Sequence, residues 1–306
     1  MKDLLKRQEI QCSVDLKALK GKRVLITGAG GSIGQAVVNL VSGYVDLTCL
    51  DVSEEKIFWM KRETQATFIL GKVEDLTLAE IKKQDIIIHT AAYKHVGLCE
   101  EFPEQAVKTN AGLVTNLAGL CWIADTHFCF ISTDKTVDAR GVMGKTKWIA
   151  ERAIDSWREM GLKITMLRFA NVLGSSGSVL QVWDLEKDIR VTDIEMRRWF
   201  ILPGEAATGI VRSIQETTAE NYLFAIKPDE ETKIIDLAER YAKRVNKEIR
   251  ITQAGVGEKQ AEKFCYDNQY LDYVEGFLYV IKKEIQGQIC IPQASCPGRN
   301  TIRNLS

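Results

Sequence analysis

A glycine-rich turn with a strand before it and a helix after it constrains this chain most. Arg23-Val24-Leu25-Ile26-Thr27 reads as a buried strand, Gly28-Ala29-Gly30-Gly31-Ser32-Ile33-Gly34 follows at once, and a helical stretch runs on to about Val41. Glycines at 28, 31 and 34 permit a tight turn and let backbone N–H groups approach a pyrophosphate at the helix N-terminus, where the helix dipole favours an anion. Three glycines in a turn say little alone; the strand–turn–helix setting makes the reading specific. Thr27, Gly28, Gly31 and Gly34 are therefore expected to hold a dinucleotide. Asp51 ends the next strand. A carboxylate there accepts hydrogen bonds from ribose hydroxyls and repels a 2′-phosphate, and no Arg follows it directly, which favours NAD over NADP. The competing reading is that Asp51 only caps the helix after it.

The pattern then repeats. Leu47–Leu50, Thr67–Leu70, Ile86–His89, His127–Ile131 and Thr165–Phe169 read as further strands, with helical stretches between them that include Glu104–Asp125 and Lys145–Met160. Strands alternating with helices predict an α/β fold, a Rossmann-like, doubly wound parallel sheet. After Val172 the pattern loosens into short elements, with helical stretches at Ala206–Ala219 and Ile235–Val245. The division expected is a dinucleotide-binding domain over 1–171 plus about 201–244, and a smaller substrate lobe over 172–200 plus about 245–306. Residues 1–20 read as a polar, charged lead-in. Lys+Arg and Asp+Glu balance at 41 each, which gives no field for nucleic acid or an acidic membrane surface. No apolar run is long enough to cross a bilayer, and the N-terminus lacks the apolar core of a signal peptide. A cytoplasmic protein without membrane insertion is expected. Eight cysteines, with no C-x-x-C pair and only three histidines, fit free thiols and exclude a zinc site or a disulfide framework.

Ser132-Thr133-Asp134-Lys135 follows the fifth strand, at the carboxyl edge where ligands bind in such sheets. Met143-Gly144-Lys145-Thr146-Lys147 comes next. A Tyr four residues before Lys147 would complete the Tyr-x-x-x-Lys acid/base pair of short-chain dehydrogenases. Met143 stands there instead, and a thioether has no proton to transfer. Proton chemistry then falls to other groups, and Asp134 and Lys135 are beside the site. The plainer alternatives are that Asp134 and Lys135 form a solvated surface pair, that Lys145 and Lys147 lie on a solvated helix face, and that Met143 is core.

Together these stretches carry a resemblance. The chain resembles the extended short-chain dehydrogenase/reductases, and within them the UDP-N-acetylglucosamine 4,6-dehydratases of bacterial glycan and polysaccharide biosynthesis. The matching segments are Thr27–Gly34, His89-Thr90-Ala91-Ala92-Tyr93-Lys94-His95-Val96, Lys108-Thr109-Asn110, Ser132–Lys135, Val142–Lys147, Arg168–Val179 and Gly257-Glu258-Lys259. Met143, Asp51 followed by Ser53-Glu54, and Asp3-Leu4-Leu5-x-Arg7 resemble the large membrane-anchored branch, so the chain looks like such a catalytic domain without the membrane helices. The resemblance implies that Ser32, Ile33, Ala91 and Ala92 join the cofactor site. It implies a tightly bound, recycled NAD, with NADP as the alternative, a UDP-sugar substrate and a homo-oligomer. By the same resemblance, hydride would leave sugar C4, Lys135 would remove the C5 proton, Asp134 would protonate the departing C6 hydroxyl, and hydride would return to C6. Thr133 would bond the C4 oxygen and Lys147 the nicotinamide ribose. Lys94, His95 and Glu100 would lie near the sugar, Asn171 and Ser178 near the sugar–diphosphate junction, Arg198 at the diphosphate and Glu258 at the uridine ribose. His95 as a packed core histidine and Arg198 as a surface arginine beside Arg197 are the alternatives.

The chain departs from that pattern at Lys72, Leu113, Ala170, Val256 and the turn Asp138-Ala139-Arg140-Gly141. Those departures leave open a 5,6-dehydratase that returns hydride to C4, an epimerase, or a non-catalytic nucleotide-binding protein. The missing Tyr argues for the last; Thr133, Asp134, Lys135 and Lys147, all retained, argue against it.

Overall fold

The computed structural model describes residues 2–253 and 258–283. Val256, Gly257, Cys290, Cys296 and the tail from 284 lie outside the described residues. In chain order the first half runs α1 (Lys2–Leu5), β1 (Arg23–Thr27), α2 (Ser32–Val41), β2 (Asp46–Asp51), α3 (Glu54–Glu63), β3 (Thr67–Leu70), α4 (Leu78–Ile81), β4 (Ile86–His89), α5 (Val96–Glu101), α6 (Pro103–Val107), α7 (Leu113–Ala124), β5 (His127–Thr133) and α8 (Val142–Glu159). The second half runs β6 (Ile164–Phe169), β7 (Asn171–Val172), α9 (Val179–Leu185), β8 (Ile189–Val191), β9 (Arg197–Arg198), β10 (Phe200–Ile201), α10 (Pro203–Glu216), β11 (Leu223–Ile226), β12 (Thr232–Lys233), α11 (Ile234–Val245), β13 (Ile249–Ile251), β14 (Gln269–Glu275) and β15 (Leu278–Lys283).

Nine strands form one sheet in the order β14-β15-β11-β6-β5-β4-β1-β2-β3. From β3 to β11 every pairing is parallel. The central strands show why: β4, β6 and β11 are buried at every position, as expected for parallel strands covered by helices on both faces. Strand order reverses between β1 and β4, and the crevice outside the carboxyl ends of those strands is where such sheets bind ligands.

Two apolar clusters organise the molecule. The larger includes Leu25, Ile26, Ile87, Phe128, Phe130, Ile154 and Phe224 and fills the space between the sheet and its helices. Cys49, Cys121 and Cys129 are buried in it as free thiols. The smaller gathers Leu173, Leu180, Trp183, Val191, Leu237 and Tyr241 around α9, β8 and α11.

The packing differs from the sequence expectation in four places. The hairpin of β14 and β15 joins the large sheet, antiparallel to β11, because Leu278–Ile281 supply four consecutive buried residues to its edge. Helix α11 packs on the smaller cluster through Ile234, Leu237, Ala238 and Tyr241. The lead-in is not merely polar: Leu4 and Leu5 are buried in the smaller cluster, and Arg7 makes a two-pronged pair with the buried Glu205 at 2.6 and 2.7 Å. The single helix expected over Glu104–Asp125 is interrupted by a wider π turn at Lys108–Gly112. There the buried Asn110 bonds the Tyr93 backbone on both sides, accepting from its N–H at 2.9 Å and donating to its carbonyl at 2.8 Å. A widened turn of this kind commonly marks a functional position.

Candidate active site

One cleft of about 1360 Å³ runs along the carboxyl edge of the sheet. The glycine turn forms one end of it. Gly28 has φ +68, and a Cβ there would stand 2.7 Å from the Ala91 nitrogen. A Cβ on Gly34 would strike the Gly28 carbonyl oxygen. Both positions thus need glycine, one for backbone conformation and one for the close approach of α2 to the turn. Gly31, Ser32, Ile33 and Gly34 line the cleft, so the N-terminus of α2, whose first N–H groups have no partner within the helix, opens into it. This fits a pyrophosphate.

Ala92 lines the cleft, while Asp51 and Ala91 lie against the glycine turn. Thr27 is fully buried and its hydroxyl meets His89 Nδ1 at 2.7 Å. Asp51 accepts hydrogen bonds from the N–H of Gly30 at 2.8 Å and of Ser53 at 2.9 Å. The cap of α3 is Ser53, so Asp51 ties the glycine turn to the end of β2 rather than serving as the helix cap itself.

Strand β5 carries the central residues. Its last residue, Thr133, leads into a tight turn at Asp134–Thr136. Thr133 and Lys135 line the cleft. Lys135 Nζ donates to Asp134 Oδ1 at 2.9 Å and to Asn171 Oδ1 at 3.2 Å. Asp134 also accepts from the Thr133 hydroxyl at 3.0 Å; it is fully buried, and its Oδ2 has no hydrogen-bond partner among the described residues. The burial of this pair removes the surface-pair reading, since neither partner is a solvated surface group.

Helix α8 contributes Met143 and Lys147. Met143 lies on the cleft wall but packs with Cys99 and Ala106 in a small apolar cluster. Lys145 is exposed and Lys147 is buried, which separates two lysines that the sequence left equivalent. Lys147 Nζ donates to the Ile131 carbonyl at 2.8 Å and sits 4.6 Å from the Phe130 ring centre. Burial brings its ammonium down to about 8, against an opposing pull from Glu151.

The other expected residues converge on the same cleft, with altered roles for some. Lys94 Nζ donates to the Ser175 hydroxyl at 3.3 Å. His95 is an exposed residue of the cleft wall packed against Gly177, not a core histidine. Glu100 lines the cleft, yet its Oε1 accepts from the Val142 N–H at 2.6 Å, fixing the start of α8. Ser178 faces the cleft with a buried hydroxyl that has no partner among the described residues. Arg198 is buried, unlike Arg197, and donates to the carbonyls of Arg197, Lys259 and Gln260 at 2.6–3.1 Å. Its guanidinium therefore holds the 258–260 segment, on which Glu258 reaches the cleft.

A profile described as polysaccharide biosynthesis protein matches residues 24–282. The chain belongs to this polysaccharide biosynthesis family. It is 31% identical over 294 residues to the probable polysaccharide biosynthesis protein EpsC of Bacillus subtilis, covering 87% of this chain and 49% of that protein. The chain thus spans about half the length of that relative. It is 25% identical over 285 residues to a UDP-N-acetylglucosamine 4,6-dehydratase (inverting) of Campylobacter jejuni, covering 87% of this chain and 84% of that one. The structure of Pen from Bacillus thuringiensis superimposes with a TM-score of 0.77 at 24% identity, over 87% of this chain and 89% of that one, and this likeness establishes the fold.

Two buried carboxylates of this family member escaped the sequence reading. Glu151 receives hydrogen bonds from the Ser132 hydroxyl at 2.6 Å and the Thr136 hydroxyl at 3.2 Å, and pairs with the fully buried Arg168 at 2.7 Å. Arg168 in turn donates to the Phe264 carbonyl at 2.7 Å and Gln269 Oε1 at 3.2 Å. The pair thereby binds the Asp134–Thr136 turn to the segment that carries Phe264 and Gln269. Glu262 lies on the cleft wall, 3.7 Å from Lys135 Nζ and 3.2 Å from Lys259 Nζ. Nothing local distinguishes either residue in sequence; the hydroxyls and cations that meet them come from distant positions. Among the described residues no helix is long and apolar enough to cross a membrane.

Proposed function

We propose that this chain is a nucleotide-sugar dehydratase that acts on UDP-N-acetylglucosamine, in the supply of glycan or polysaccharide precursors. The observation that carries the reading is that Thr133 and Lys135, with Asp134 bonded behind them, share one cleft with the glycine turn and Lys147. Its relation to the Campylobacter jejuni dehydratase supports the same reading.

A nicotinamide dinucleotide bound at the turn supplies the hydride acceptor and donor. Gly31, Ser32, Ile33 and Gly34 would bind its pyrophosphate and Lys147 its nicotinamide ribose. The carboxylate at Asp51 favours NAD over NADP. Thr133 would orient the oxygen at sugar C4. Once C4 is a ketone, the C5 proton is acidified, and Lys135 is the cleft-wall amine that would remove it. Asp134 holds Lys135 and Thr133 in register. Met143 offers no proton and shields the site from water on that side. Lys94, His95, Asn171 and Ser178 would contact the sugar and diphosphate. Glu100 and Arg198 would act by fixing α8 and the 258–260 segment, with Glu258 toward the uridine ribose.

Incubation of purified protein with UDP-N-acetylglucosamine and NAD, followed by mass spectrometry, tests the reading. Loss of one water from the nucleotide sugar is expected. An unchanged mass with both NAD and NADP would refute it.

A further inference from the structure

The lead-in before β1 is tied to the cleft through one side chain. Leu4 and Leu5 enter the smaller apolar cluster, while Ile10 and Cys12 pack with the larger one. Arg7 lies between them in the chain. Its guanidinium donates to Glu205 Oε1 at 2.6 Å and Oε2 at 2.7 Å, to the Phe200 carbonyl at 3.0 Å and to the Gln8 carbonyl at 2.9 Å. Glu205 is buried and also accepts from the N–H groups of Ile10 at 2.8 Å and Leu202 at 2.7 Å.

The strand that Arg7 holds forms part of the cleft wall. β10 is only Phe200 and Ile201, too short to fix its own place. Phe200 lines the cleft and belongs to the smaller cluster, whereas Ile201 belongs to the larger. β10 thus crosses from one core to the other, as the lead-in does. It pairs with β7: the Asn171 N–H donates to the Trp199 carbonyl at 3.1 Å and the Leu173 N–H to the Ile201 carbonyl at 2.9 Å. Asn171 Oδ1 in turn accepts from Lys135 Nζ at 3.2 Å. A line of hydrogen bonds therefore leads from Arg7 through β10 and β7 to Lys135. Helix α10 has firmer support of its own, since Ala206, Ala207, Ile210 and Val211 are buried in the larger cluster.

We propose that Arg7 is a positioning residue for the nucleotide-sugar half of the cleft: it sets β10, and through it Phe200 and Asn171, against Lys135. What binds in that half rests on the dehydratase reading; the link from Arg7 to β10 and β7 does not. A guanidinium suits the place because its fork meets both oxygens of Glu205 and still reaches the Phe200 carbonyl, which the point charge of a lysine cannot do at once. Loss of the guanidinium leaves Glu205 buried without its counter-charge and β10 without its clamp. The substrate half then loosens, while the glycine turn and the parallel sheet keep their own packing.

Amide hydrogen exchange of the full chain, without ligand, reads the link directly. In Arg7→Ala the segments 171–173 and 199–202 should exchange about tenfold or more faster than in wild type, while 24–27 and 86–89 stay within about threefold. Millimolar ethylguanidinium should restore the lost protection, and Arg7→Lys should lie between. Faster exchange throughout the chain, without repair by ethylguanidinium, is what a loss of global stability alone would give, and it overturns the proposal; so does unchanged exchange in the two segments. The kinetic arm uses UDP-N-acetylglucosamine. Arg7→Ala should raise KM about tenfold or more, with a smaller change in kcat and NAD binding by calorimetry within about threefold of wild type. A KM within about threefold of wild type overturns the positioning of the substrate half. If wild type itself leaves UDP-N-acetylglucosamine unchanged, the dehydratase reading fails and the exchange arm still decides the link from Arg7 to β10 and β7.

Discussion

Lys147 is a site residue whose charge the fold opposes. Burial takes its ammonium from 10.5 to about 8. Below about pH 8 both folded and unfolded chains carry the proton and the penalty is constant. Between about 8 and 10.5 the unfolded chain holds more protons, so this group's contribution to stability rises with pH. Denaturant unfolding of wild type and Lys147→Met should therefore differ least in alkali. The wild type should gain on the variant across that window, by at most about 3 kcal/mol. A difference that does not vary with pH would contradict the burial argument. Lys135 and Asp134 make a different kind of prediction, because the role proposed for them lies in the reaction rather than in folding. Lys135→Ala and Asp134→Asn should keep nucleotide binding by calorimetry and lose about 100-fold or more in turnover. Asp134→Asn acts through Lys135, whose closest acceptor it changes. Wild-type turnover in both would remove the roles given to them.

Among the elements, the glycine turn and the Asp134–Thr136 turn are held by different means. The first depends on the absence of side chains. Gly28→Ala would place a Cβ against the Ala91 backbone at a φ of +68, and should lower stability by about 1–3 kcal/mol and weaken dinucleotide binding, both readable by thermal unfolding with and without NAD. The Asp134–Thr136 turn depends on a buried ion pair. Ser132 and Thr136 both reach Glu151, and Arg168 carries the connection to Phe264 and Gln269. Glu151→Gln leaves a buried guanidinium without its counter-charge, a change expected to lower stability by about 3–5 kcal/mol in chemical denaturation. Loss of under about 1 kcal/mol would show that the pair is not what anchors the turn.

Across the whole molecule, legibility in sequence followed locality. The strands from β1 to β6 announce themselves as short apolar runs, and the glycine turn, Ser132–Lys135 and Lys147 sit at fixed offsets from them, so the parallel sheet and the line of the cleft could be read directly. What could not be read depends on partners far apart in sequence. Leu4 and Leu5 are too short a pair to reveal that they enter the smaller core. Arg7 meets Glu205 only in the folded chain. The hairpin of β14 and β15 offers no parallel-strand signature, because it closes the sheet antiparallel. Glu262 escaped for the same reason: the adjacency of Asp134 to Lys135 is visible in sequence, whereas Glu262 comes near Lys135 only through packing. The central claim is proton removal from a nucleotide sugar by this cleft. Proton NMR of the protein with UDP-N-acetylglucosamine in D2O, without added cofactor, tests it most directly. A new methyl signal with deuterium at C5 is the result predicted, and it would also show that the protein retains its cofactor. Vinyl signals would place the hydride return at C4 and give a 5,6-unsaturated sugar. A spectrum that stays unchanged even after NAD or NADP is added would contradict the account.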